Sequence, residues 1–260
     1  AAAGDEPYLI ARRCPRAVVA VGADRYRVGR WVLAQFPLDC LVLDDGFQHQ
    51  ALQRDVNILL VDASDPNGLR ALLPAGRLRE PRVAAARASA ILLTRTESGD
   101  SQRVLAALED VVGMLPSPAH SRFVVDTVID VVTGDVCPAT VLAGRAALAV
   151  SGVGNPASFR SLLKGLGVVI RSERVFSDHH DYTAADLEAI RAEGKRSGVD
   201  LIVTTEKDAG KLAPLLMWSD EVRAVRLGLE IVDGRELFDR LILGNDAGGT
   251  RNEEVGMRHG

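Results

Sequence analysis

Short, unbroken apolar runs set between stretches of helical spacing constrain this chain more than any other feature. RAVVAV (16–21), DCLVL (39–43), VNILLV (56–61), AILLT (90–94), AALAV (146–150), residues 168–173 and LIVT (201–204) are all of strand length. Most do not alternate apolar with polar. A strand exposed on one face must alternate, so unbroken runs fit strands covered by helices on both faces, as in a parallel α/β sheet. The intervening stretches predict helices over 25–35, 102–114, 156–166 and 184–193. Asn155 caps the third, with Pro156 at its first position, and Thr183 caps the fourth. The opening residues also carry a helical pattern.

Two prolines in LPSPAH (115–120) interrupt this order. Residues 122–132 and those after 136 then read as an antiparallel hairpin turning at Thr133-Gly134-Asp135. The 260 residues suffice for one large domain or two small ones. The expected arrangement is a parallel-sheet lobe over 1–116, a hairpin linker over 117–140 and a smaller α/β lobe over 141–243. The Gly-rich polar tail 244–260 is expected to lack order.

Composition closes off several classes. Hydrophobic residues are 47% and charged residues 25%, which excludes fibrous and wholly disordered chains. The net charge of −4 supplies no global field for nucleic acid. The three cysteines stand far apart without a Cys-x-x-Cys pair, against a disulfide framework or structural zinc site. That usage fits a reducing cytosol. No Gly-x-x-x-x-Gly-Lys-Ser/Thr phosphate loop occurs in these residues.

Polar residues gather at a few places. In LVLDDGFQH (41–49) an apolar run ends in Asp44 and Asp45, with Gln48 and His49 close behind. Carboxylates at the C-terminal edge of a parallel sheet lie where ligands bind, and their hard oxygens suit Mg²⁺. The alternative without chemistry is an Asp-Asp-Gly turn. LPAGRLREP (73–81) sets Arg77, Arg79 and Glu80 on a stiff loop; a held guanidinium suits phosphate, and Glu80 offers another metal oxygen. A solvated Arg–Glu pair is the alternative there.

In FSDHHDY (176–182) two of the chain's five histidines sit between aspartates, an arrangement suited to acid–base work or metal binding, or to a capped helix start. VTTEKD (203–208) is a site wall or a helix cap with Lys207 and Lys211 in solvent. Gly152-Val153-Gly154-Asn155-Pro156 lacks dinucleotide spacing and reads as a tight turn. Gly4-Asp5-Glu6-Pro7 reads as a helix-opening cap.

Taken in order, AGDEPYLI (3–10), LDDGFQHQALQRDVNILLVDA (43–63), LLPAGRLREP (72–81), SGVGNPASF (151–159), FSDHHDYTAADL (176–187) and TTEKDAGKL (204–212) resemble the tetraacyldisaccharide 4′-kinases, the lipid A 4′-kinase family. The resemblance runs to about residue 243. It implies a P-loop-kinase-like sheet lobe beside the second α/β lobe. It also implies transfer of the ATP γ-phosphate to the 4′-hydroxyl of a tetraacylated glucosamine disaccharide 1-phosphate, giving lipid IVA. By the same resemblance Asp5 acts as general base with His179 as partner, and Asp44 and Asp45 hold Mg²⁺ with help from Glu80. Arg79 then touches phosphate, and Gln48 and His49 support the site. The implied partners are ATP, the acylated acceptor and the cytoplasmic face of the inner membrane, with no nucleic acid.

The family carries its phosphate loop, a Ser-Arg-Gly-Tyr stretch and an apolar membrane-associating segment ahead of Gly-Asp-Glu-Pro. None of these occurs in the present residues. The expectation is a chain shortened at its N-terminus, reaching the membrane only through that segment and inactive alone. Arg77 stands where the family usually has Pro, and Asn67-Gly68-Leu69-Arg70 where it often has Phe-Gly-Asn-Gly. Two other readings compete. One is a phosphohydrolase with metals on Asp44, Asp45, His49, Asp178, His179 and His180; the other is a non-catalytic module that binds a sugar phosphate.

Overall fold

The structure, a computed structural model, describes residues 4–97 and 99–243. The tail 244–260 lies outside them. The chain divides into two compact units, each built from two segments: 1–21 with 124–228, and 22–123 with 229–260. The sequence predicts two continuous lobes instead. The difference arises at the chain's ends, where a helix from each packs against residues distant in sequence.

In the first unit β5 (Ala146–Ser151) runs parallel to β6 (Val169–Val175) on one side and β7 (Leu201–Thr205) on the other. β7 in turn pairs in parallel with the start of β8 (Glu221–Asp233). The explanation for the unbroken apolar run in β5 is direct, since successive side chains point to opposite faces. Ala147 and Ala149 pack against Phe159 and Leu163 of α4 (Pro156–Gly165). Leu148 and Val150 pack against Ile190 of α5 (Ala184–Ser197) and Leu212 of α6 (Glu206–Leu212). The predicted caps are present: Asn155 accepts from the Ser158 amide at 3.1 Å, and Thr183 and Asp186 form a reciprocal capping box. The hairpin is present as well, with Val128 of β3 (Pro118–Asp130) opposite Cys137 of the two-residue β4 (Val136–Cys137).

In the second unit β1 (Ile58–Asp62), β2 (Ala90–Thr94) and the start of β3 are parallel. β2 is again covered on both faces. Ile91 and Leu93 meet Val104 and Leu108 of α3 (Ser101–Val112), while Ala90 and Leu92 meet Phe238 of α7 (Arg235–Leu243). α2 (Arg25–Gln35) starts where predicted, capped by the Asp24 carboxylate on the Arg27 amide at 3.0 Å.

Two predicted strands are absent among the described residues. RAVVAV (16–21) and DCLVL (39–43) carry no ladder, and Val42 is 89% exposed. An apolar run becomes a strand only when a neighbouring backbone supplies donors and acceptors along its flank, and nothing described here does so. The acidic pair Asp44–Asp45 therefore follows an extended coil rather than a sheet strand. A carboxylate that does end a parallel strand is Asp62 of β1, which accepts from the Ser64 amide at 2.9 Å and pairs with Arg95.

Candidate active site

The first unit brings together residues far apart in sequence. α1 (Asp5–Arg13) lies on α6, and Arg13 ties its far end by ion-pairing with Glu206 and donating to the Leu227 carbonyl at 2.9 Å. The near end is thereby fixed. Asp5 Oδ2 stands 2.8 Å from Lys211 Nζ and 3.5 Å from His179 Nδ1. Lys211 also donates to the carbonyls of His179 at 3.0 Å and His180 at 3.2 Å. Four residues earlier on α6, Lys207 pairs with Asp178 at 2.8 Å and lies 3.4 Å from His179 Nε2. Asp5, His179 and Lys211 line an open depression of about 400 Å³.

Charge placement follows from these contacts. The Lys211 hydrogen bond holds the Asp5 carboxyl below the ordinary carboxylate value. Asp178 is lowered in the same way by its hydrogen bond from Lys207. For Lys211, burial pushes the ammonium downward, but the hydrogen bonds and charges of Asp5 and Asp181 outweigh it and raise the group. The corner thus gathers two carboxylates, Asp5 and Asp178, held low by Lys211 and Lys207, around the His179 ring. Such a set can accept a proton from a hydroxyl and steady nearby negative charge.

The neighbouring histidine does something different. His180 Nε2 lies 3.2 Å from Asp186, the capping-box carboxylate, and its ring stacks on Phe176 with centroids 4.6 Å apart. It closes the start of α5. His179, at φ 61, occupies the left-handed region that non-glycine residues rarely adopt.

The residue that follows β5 is a glycine bonded to α6. Gly152 donates its amide to the buried Asp208 at 3.0 Å, and Asp208 also accepts from the Thr205 hydroxyl at 2.7 Å. A Cβ at Gly152 would lie 2.9 Å from Asp208 Oδ1 and 3.1 Å from the Ser177 carbonyl. Gly152→Ala is therefore expected to cost about 1–3 kcal/mol through overpacking, read as a lower Tm. An unchanged Tm would show that this corner gives way freely.

The second unit holds the other predicted residues. Asp45, at φ 52, accepts from Arg79 at 2.6 Å and gives its carbonyl to Arg25 at 3.2 Å. Asp44 and Gln48 are exposed, and His49 is half-buried with its carbonyl bonded to Arg54. Glu80 is engaged at both oxygens, by Gln50 at 3.2 Å and Arg87 at 2.5 Å. Arg87 also reaches the Phe47 carbonyl and lies 4.9 Å over that ring, so Glu80 braces the 44–50 loop. Among the described residues no three His, Cys, Asp or Glu are grouped to hold one metal ion. Asp44, Asp45 and Glu80 are thus not gathered as a trio here, nor are the six residues of the hydrolase reading, which fall in two different units.

The sequence leaves Lys211 and Lys207 open between a site wall and a helix cap with both in solvent, and gives neither a role. Their side chains are 16% and 22% exposed. The available signal was their spacing of four, which puts both on one helix face.

Comparison with known proteins shows the family of the chain. A family model described as Tetraacyldisaccharide-1-P 4'-kinase matches residues 1–244. The Tetraacyldisaccharide 4'-kinase of Anaeromyxobacter dehalogenans strain 2CP-1 is 39% identical over 244 residues, covering 92% of this chain and 64% of that protein. The protein of the same description from Geobacter metallireducens is 36% identical over 237 residues, covering 91% and 68%. A crystal structure of LpxK from Aquifex aeolicus, its "apo" form in complex with ATP, superposes with a TM-score of 0.66 at 30% identity. It covers 92% of this chain and 68% of that one. The chain spans just under two thirds of the length of the Anaeromyxobacter relative, at 64%.

Proposed function

This chain belongs to the tetraacyldisaccharide-1-P 4'-kinase family, and from that premise we propose that its protein transfers the ATP γ-phosphate to the 4′-hydroxyl of tetraacyldisaccharide 1-phosphate. The observation that carries the reading is the Asp5–His179 contact at 3.5 Å in an open depression that also holds Lys211. In the step proposed, the acceptor oxygen forms a bond to the γ-phosphorus as the bond to the β-phosphate bridging oxygen breaks. Asp5 receives the hydroxyl proton, and ADP leaves. Phosphoryl transfer runs through a loose transition state, so the protein's contribution is positioning and charge. Asp5 orients the hydroxyl, and His179 keeps the carboxylate aimed.

Magnesium enters as a proposal from the donor chemistry. Asp44 and Asp45 are exposed, adjacent hard-oxygen donors, and Mg²⁺ needs only one or two carboxylates beside waters and phosphate oxygens. Bound there, the ion would neutralise developing phosphate charge. Arg79 is the phosphate-facing guanidinium of this reading, with Gln48 and His49 in support. No helix among the described residues is long and apolar enough to cross a membrane. Because its acceptor carries acyl chains, the reading sets the protein peripherally on the cytoplasmic face of the inner membrane. The test is transfer of label from γ-labelled ATP to the acylated disaccharide 1-phosphate, with and without chelator. A 4′-phosphorylated product that disappears on chelation is expected. Hydrolysis without product would overturn the reading.

A further inference from the structure

Resting on that reading of Asp5, we infer that Lys211 is a positioning residue, locking the Asp5 carboxylate and the His179 turn into one geometry while Lys207 sets the imidazole tautomer. An ammonium has three donors. Those of Lys211 have three near acceptors, Asp5 Oδ2 at 2.8 Å and the carbonyls of His179 and His180 at 3.0 and 3.2 Å. Asp181 stands farther off, at 3.4 Å. An ordinary surface ion pair does not reach two successive backbone carbonyls. Here that reach supports a residue at φ 61, a conformation that persists only where its surroundings over-determine it.

Lys207 works on the ring. It has only donors, so at 3.4 Å from His179 Nε2 it requires that nitrogen to accept. An imidazole accepting at Nε2 carries its proton on Nδ1, the atom that faces Asp5. The two lysines thus fix the turn's backbone and the ring's proton separately, from one face of one helix. Asp5 is faced by Lys211 from α6, by His179 and Asp181 from the loop, and by Glu6 of its own helix. Lys211 is the cation that holds its carboxyl low.

The experiment is Lys211→Met in the whole protein, with kcat, both KM values and a ¹³C carboxyl titration of Asp5 assigned by its loss in Asp5→Asn. The kcat is expected to fall roughly 10- to 100-fold with the KM for ATP close to wild type, since geometry rather than nucleotide binding is lost. The Asp5 midpoint is expected to move upward, and Lys211→Arg to recover part of the rate. An unmoved midpoint overturns the proposal whatever the rate does. A moved midpoint with unchanged kcat confines Lys211 to structure and overturns the positioning role. If the Met variant fails to fold, Lys211→Gln, which keeps a donor, is read by the same two measurements. Full turnover in Asp5→Asn would instead refute the reading of Asp5 as base, a result separable from the midpoint shift.

Discussion

Asp5→Asn is expected to lower phosphoryl transfer by about 10²- to 10⁴-fold while the fold survives. The amide keeps the shape of the carboxylate and leaves Lys211 an oxygen to bond, with the His179 and His180 carbonyls still in place. What disappears is the group that takes the proton. The pH profile should report the same loss. Lys211 holds the wild-type carboxyl below the ordinary Asp value of about 3.9, so the base is ionised throughout the neutral range and fails only in acid. Any contribution of this depressed group to stability is likewise complete above that ordinary value and is lost as pH falls through the lower folded one. The Asn variant should show neither the rate nor that acid limb. Turnover within tenfold of wild type would sink the assignment.

Asp45→Ala is expected to cost a further class of interaction, reducing the rate by about 10²- to 10³-fold under saturating ATP and magnesium. Its partners explain why little stability goes with it. The carboxylate and Arg79 are both more than half exposed, a setting in which solvent screens an ion pair. The rest of the loop is held elsewhere, by Arg54 on the Gly46 carbonyl at 2.8 Å and by the Glu80–Arg87 brace on Phe47. The loop should therefore persist without Asp45, and Tm should stay close to wild type. Raising the magnesium concentration should recover part of the loss if Asp45 holds the ion. A large drop in Tm accompanying the rate loss would show instead that Asp45 builds the loop.

The helices and the sheet class were legible because both periodicities are strong. AALAV and AILLT are apolar at every position since each of their faces meets a helix, and their observed ranges differ from the expected ones by a residue or less. Strand pairing was not legible. RAVVAV and DCLVL satisfy the composition of a buried strand, but composition does not say whether a neighbouring backbone is present. β8 was passed over for the opposite reason: EVRAVRLGLEIVD mixes charge into its alternation, and its second half is largely exposed. At the site, spacing alone never joined Asp5 to His179; the family resemblance did, and the two side chains stand 3.5 Å apart. Lys211 escaped because a polar run after a strand reads the same whether its side chains enter solvent or fold back onto a turn.

The short helix α6 has one more implication. Its first turn is keyed to the sheet through the buried Asp208, and its outer side delivers Lys207 and Lys211 to the loop. Each residue added or removed between Thr205 and Lys211 would turn the later positions by about 100° around the axis. Length change within this segment is therefore far harder to absorb than side-chain change, because it alters the angular phase at which a proton acceptor is presented, and evolutionary insertions should accumulate beyond Leu212 rather than before it.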